Sequence, residues 1–130
     1  MRARQLLVGL LALNLVACAS PREKAYRSAL NEYKHKNAVA VDYARVKVQQ
    51  LVTAAKAFQT AAGHWPQTFK ELAEFAFASG LPLDPTDFND VTFAALEDGS
   101  VQVRYDINCS RFNTPQYSFT QTGTANVKAK

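Results

Sequence analysis

YRSALNEYKHKNAVAVDYARVKVQQLVTAAKAFQTAAGHWP, residues 26–66, decides the fold. Tyr26, Leu30, Tyr33, Asn37, Ala40, Ala44, Val48, Leu51, Ala55, Phe58 and Ala62 recur three or four positions apart. That spacing gathers side chains on one face of an α-helix. Gly63 is suited to the left-handed conformation that stops a helix, and Pro66 keeps the helix from resuming. Within the run, Lys34-His35-Lys36-Asn37 places polar residues across the apolar stripe. Residues 26–33 are therefore expected to be a lightly held arm, and residues 39–62 the half that packs.

Upstream of the helix the chain reads as an address. Arg2 and Arg4 form a positive start, residues 6–16 form an apolar run too short to span a bilayer, and Ala17-Cys18-Ala19-Ser20 supplies small residues. Leu15-Val16-Ala17-Cys18 resembles the bacterial lipobox, which implies a signal peptide over residues 1–17 and a lipidated Cys18. More than one acyl chain on that cysteine is what durable membrane attachment requires. Ala19 after the cysteine resembles the sorting signal of outer-membrane lipoproteins, so a periplasm-facing outer-membrane location is expected over the inner membrane. With Cys18 modified, Cys109 is the one remaining thiol, and no internal disulfide can form. Cys109 is then either buried and inert or the site of an intermolecular bridge, and its strand-like surroundings favour burial.

The chain has 130 residues, 48% of them apolar, which suits one domain. Its net charge of +4 falls to +2 once Arg2 and Arg4 are removed, and what remains is unevenly spread. Residues 18–60 hold eight Lys/Arg against three Asp/Glu, and residues 61–130 hold five against eight, so the basic half lies next to the anchor. Arg22, Lys24, Arg27, Lys34 and Lys36 make residues 18–38 a basic arm. A solvated helix face accounts for them, with attraction to anionic headgroups or an acidic partner as the sharper alternative. Nothing further points to nucleic acid.

Downstream, Thr68-Phe69-Lys70-Glu71 is a capping box that opens a second, short helix ended by Gly80, with Phe69, Leu72, Phe75 and Ala76 as its apolar face. The prolines of Leu81-Pro82-Leu83-Asp84-Pro85 require an extended connector. The period then changes to two. Val91, Phe93 and Ala95, a tight turn at Glu97-Asp98-Gly99-Ser100, and Val101, Val103, Tyr105 and Ile107 describe a hairpin with one apolar face. A third strand is expected over residues 116–121, with Tyr117 and Phe119 on one side, followed by a polar, frayed tail at 123–130. The expected fold is α+β: a long helix lying across an antiparallel sheet of three to four strands, with one short extra helix and a domain spanning residues 39–122.

This order of elements resembles the globular region of type IV pilins and type II secretion pseudopilins. Gly63-His64-Trp65-Pro66 followed by Thr68 and Leu72 is similar to the pattern after that family's first helix. Leu81-Pro82-Leu83-Asp84-Pro85 is similar to the proline-aspartate-proline step into the pseudopilin sheet. The resemblance covers residues 39–122 and implies a pilin-like domain. Two family features are missing: the apolar, glutamate-bearing helix half of a filament core, and the late acidic residues that hold calcium, where this chain reads Gly123-Thr124-Ala125-Asn126. The resemblance thus implies a pilin-like domain on a lipid tether and not a filament subunit.

Residues able to do chemistry are few. His35 and His64 are the two histidines, neither forms a metal-ligand pair, and no CxxC is present, so neither an enzyme nor a cofactor is expected. Asp84, Asp87, Asn89 and Asp90 offer oxygen ligands for calcium within one loop, but lack the central glycine and terminal glutamate of an EF-hand. Turn and cap formation is the favoured reading of the four. Trp65, Phe69, Phe75, Phe77 and Phe88 exceed what one short helix and loop can bury, which makes Trp65, Phe77 and Phe88 candidates for partner contact. Phe77 is the best of them, since it points away from the stripe of Phe69, Leu72, Phe75 and Ala76. The functional expectation is a lipid-anchored envelope accessory or interaction protein associated with a type II secretion or type IV pilus system. The alternative is a small-ligand or calcium-binding envelope lipoprotein.

Overall fold

The structure is a computed structural model and describes residues 20–129. Cys18 and the signal segment lie outside these residues. Between His35 and Lys36 the chain divides into two compact units. Helix α1, Pro21–Ala62, begins in the first and ends in the second.

In the first unit the helix start is capped by sequence-local chemistry. The Glu23 N–H donates to Ser20 Oγ at 3.1 Å, and the Glu23 carboxylate reaches back to the Ser20 hydroxyl at 3.3 Å. Pro21 occupies the first helical position, where its missing N–H costs nothing. Arg22, Lys24, Arg27 and Lys34 are all exposed.

The second unit holds the core. Here α1 buries Ala40, Ala44, Leu51, Ala54, Ala55 and Phe58; of the stripe expected over residues 39–62, Val48 is only half-buried and Ala62 is exposed at the helix end. Helix α2, Phe69–Ser79, buries Leu72 and Ala76. Three strands, β1 (Phe88–Ala95), β2 (Val101–Asn108) and β3 (Thr120–Val127), form an antiparallel sheet in the order β1-β2-β3. On β2 the residues Val101, Val103 and Ile107 are fully buried, and Gln102, Arg104 and Asp106 alternate with them on the other face. The fold is α+β, as expected. Two short 3-10 turns, Pro85–Asp87 and Ser110–Phe112, flank the first hairpin.

The hairpin turn is tied by its own side chains. Asp98 accepts from the Ser100 N–H at 3.0 Å and from the Ser100 hydroxyl, Leu96 N–H donates to Ser100 O at 2.8 Å, and Gly99 has a φ of 86°. The bonds from Ser100 hold the Asp98 carboxyl below the usual carboxylate range. Trp65 donates from Nε1 to Gly99 O at 2.9 Å and pins this turn.

The third strand corrects the sequence reading. Residues 116–119 are not strand: Thr114 and Tyr117 bond each other's backbone in a turn, and Phe119 N–H donates to Asn113 Oδ1 at 2.7 Å. Phe119 is buried there from a loop. The strand runs over the residues expected to be a frayed tail and carries the fold through Val127, past the expected boundary at 122. Its register places Val127 opposite Val101, Ala125 opposite Val103 and Gly123 opposite Tyr105. A Cβ on Gly123 would lie 2.6 Å from Tyr105 Oη, so the tyrosine lies across the glycine and fills the space a side chain would take.

Candidate interaction surface

Two groups of residues in the second unit stand out: a buried ionic knot that orders the start of β1, and an apolar groove beside it.

The knot is centred on Asp87, one of the few buried polar residues. The Tyr43 hydroxyl donates to Asp87 Oδ1 at 2.7 Å, and Lys47 Nζ lies 2.9 Å from Oδ2. Oδ2 makes no aligned hydrogen bond, so Lys47 holds it as an ion pair. Arg111 approaches Oδ1 at 4.0 Å and stacks 4.6 Å from the Tyr43 ring centre, while Phe112 meets that ring edge-on at 5.3 Å. Tyr43 and Lys47 lie one turn apart on α1 and so face the same carboxylate. Asp87 thereby joins α1 to both 3-10 turns. Burial, together with the hydrogen bond and charge of Asp87, pushes the Tyr43 phenol up to about 12, with Arg111 opposing.

This shift gives a pH prediction. The phenol loses its proton more reluctantly in the folded chain than at its ordinary value of 10.0, so its contribution to stability is complete below about pH 10. The contribution is lost as pH rises through about 12. An ultraviolet absorbance titration should show one phenol with a midpoint near 12 that disappears in Tyr43→Phe and moves toward 10 in Asp87→Asn. An unchanged midpoint in Asp87→Asn refutes the link between the two groups.

Asp84, Asp87, Asn89 and Asp90 do not converge. The Asp84 carboxylate accepts from the Thr86 N–H at 3.0 Å and hydroxyl at 2.8 Å, bonds that lower its pKa and shape the turn at Pro85. Asp87 is occupied by Tyr43 and Lys47. Asn89 and Asp90 are exposed at the start of β1, with Asn89 Nδ2 at 3.5 Å from Asp106 Oδ1. Among the described residues no three His, Cys, Asp or Glu side chains are grouped to hold a metal ion. Cys109 is 1% exposed, and burial raises its pKa, with Asp106 adding to the effect. His64 sits edge-on to Phe58, its Nδ1 at 3.0 Å from Trp65 O.

The groove is built by α2 and the connector after it. Thr68 Oγ1 accepts from the Glu71 N–H at 3.1 Å, and the Glu71 carboxylate reaches back to the Gln67 N–H at 2.9 Å, one residue further than the simplest capping box. Gly80, at φ 70°, closes the helix with Leu81 N–H donating to Ala76 O at 2.9 Å. The chain then returns along α2, so that Leu83 and Pro85 stand beside Phe69, Ala73, Phe77 and Phe88 around a groove of about 610 Å³. Lys70 and Glu74, paired at 3.5 Å, border it.

The three aromatic candidates are placed differently. Phe88 is 8% exposed and meets Phe69 edge-on at 5.4 Å, so it is part of the groove wall. Trp65 is half-buried and engaged with the hairpin turn. Phe77 is 89% exposed at the rim of the groove. Sequence reasoning missed the partnership of Asp87 with Tyr43 and Lys47. A tyrosine and a lysine one helical turn apart, just where the packed half of α1 begins, were the available signal. Among the described residues no helix is long and apolar enough to cross a membrane. In comparison with known proteins, the chain matches no family model, no curated protein and no solved structure.

Proposed function

We propose that this chain is a lipid-anchored cell-envelope protein, held at the membrane through Cys18, that serves as an interaction component of a type II secretion or type IV pilus system. The address comes from the lipobox-like residues 15–18, and the class of system from the resemblance of residues 39–122 to pilin and pseudopilin domains. The observation that carries the interaction reading is Phe77, 89% exposed beside an apolar groove. A phenylalanine left in water beside carbon-lined space gains most by docking into a partner. Its partner on this reading is an apolar segment of an envelope protein. The alternative of a calcium-binding lipoprotein loses support because Asp84 and Asp87 are engaged by the chain's own donors.

The test is a photo-crosslinking residue at position 77 in cells, followed by identification of the adduct. A secretion or pilus component is the expected partner, and its recovery should fall in Phe77→Ser. Because Phe77 is so exposed, Phe77→Ser should change stability by no more than about 0.5 kcal/mol. Adducts confined to proteins outside the envelope would end the proposal. Parallel labelling with a radioactive fatty acid, lost in Cys18→Ser, tests the anchor independently.

A further inference from the structure

The two edges of the sheet are treated differently by this sequence. An edge strand offers unpaired N–H and C=O groups to any extended chain, and proteins blunt such edges with charges, prolines, bulges or covering elements. The β1 edge has three of these: Asp90, an irregularity in the pairing between Phe88 and Asp90, and α2 packed against the strand. Among the described residues the β3 strand carries no charge, no proline and no irregularity in its pairing. Its sequence is Thr120-Gln121-Thr122-Gly123-Thr124-Ala125-Asn126-Val127, and among the described residues the one strand paired with it is β2.

Beside this edge, side chains of α1 and of the sheet line two grooves. Toward the Thr120 end, Val41, Ala44, Val48, Tyr105 and Gln121 line a groove of about 300 Å³, bordered by Gln49 and by Arg45, whose charge is met by Asp42 at 2.8 Å, and Val41 is exposed. Toward the Val127 end, Ala57, Thr60, Ala61 and Ala129 line a second groove of about 630 Å³, bordered by Lys56 and Lys128.

We infer that β3 is a strand-addition site for an extended segment of a partner protein, apolar at alternate positions and acidic at the end lying beside Val127. The main-chain groups of β3 supply the hydrogen bonds. Alternate side chains of the incoming strand enter the grooves beneath α1, since successive residues of a strand point to opposite faces. Antiparallel pairing, the more stable geometry, sets the acidic end at the segment's N-terminus. Charge complementarity selects that chemistry: both charged side chains of the Val127 groove are cationic, and among the described residues neither Lys56 nor Lys128 forms a salt bridge, Lys128 acting on the Asp98 carboxylate only at longer range, whereas Arg45 of the other groove is paired with Asp42. The surface is separate from the one around Phe77.

The experiment uses the full-length protein in detergent micelles, with amide chemical shifts as the readout. The probe is a peptide of two glutamates followed by four Val-Thr repeats, compared with one carrying two lysines in place of the glutamates. Saturable shifts across residues 120–127, with tighter binding of the acidic peptide, are expected. The double variant K56E/K128E should weaken the acidic peptide about tenfold, as two rim ion pairs imply, and should strengthen the lysine peptide. Three outcomes overturn the inference: no saturable shift with either peptide, equal binding of both, or concentration-dependent shifts of residues 120–127 without peptide, which would assign the edge to a second copy of the chain. Phe77→Ser should leave peptide binding unchanged, so the outcome is distinguishable from that of the crosslinking experiment.

Discussion

Asp87→Ala should destabilise the second unit by about 3 kcal/mol, the lower end of what removing one partner of a buried ion pair costs. The Asp87 side chain is 6% exposed and Lys47 only 20%, so the substitution strands a cation that is largely covered. It also removes the acceptor of the Tyr43 hydroxyl and the acid facing Arg111. The partial exposure of Lys47 lets its ammonium reach toward water, which is why the lower end is expected. A unit of this size is stable by roughly 5–14 kcal/mol at the usual per-residue value, so the loss is a large fraction. Urea unfolding followed by circular dichroism measures it. The double variant Asp87→Ala/Lys47→Met should recover most of the loss, because exchanging both partners for apolar groups leaves no stranded charge. A single-variant effect below about 1 kcal/mol would show that the knot orders the start of β1 without stabilising the fold.

What the sequence made legible follows from where each element's apolar signal sits. Helix α1 and the hairpin carry theirs in their own residues: the stripe from Ala40 to Phe58 and the alternation of Val101, Val103 and Ile107. The stops at Gly63 and Gly80 were readable because both glycines take positive φ, as helix ends require. Strand β3 hid because its inward side is filled from elsewhere. Gly123 has no side chain and is covered by Tyr105 of the neighbouring strand, and Gln121 opposes Ile107 at the other end of the run. Tyr117 and Phe119 drew the expected strand toward themselves, although Phe119 is buried from a loop. The exposure of Phe77 was readable from helical spacing, whereas the groove beside it was not. That groove depends on the connector returning along α2, and prolines in a sequence say that a segment is extended without saying where it lies.

Leu51→Ala should cost about 3–4 kcal/mol, within the range for truncating a buried leucine. Apart from Leu51 and Phe58, the buried residues of α1 are alanines, at 40, 44, 54 and 55. An alanine contributes little apolar area, so Leu51, fully buried, supplies much of what fastens the middle of the helix to the core. Apart from the half-buried Val48, the apolar side chains left along that face from Ala40 to Ala55 are alanines, too short to reach into the cavity. A site that cannot collapse keeps its void, and the residual cavity adds to the lost transfer energy. Leu51→Met, which roughly conserves volume, should cost less than about 1.5 kcal/mol. Trp65 is the sole tryptophan and is bonded to the hairpin turn, so its fluorescence reports the sheet end of the unit while circular dichroism reports the helix. Coincident urea transitions by both probes, shifted together in Leu51→Ala with an unchanged slope, are expected if helix and sheet share one core. If the fluorescence transition stays in place while the helical signal is lost earlier, α1 is fastened independently of the sheet, and the single-core architecture fails.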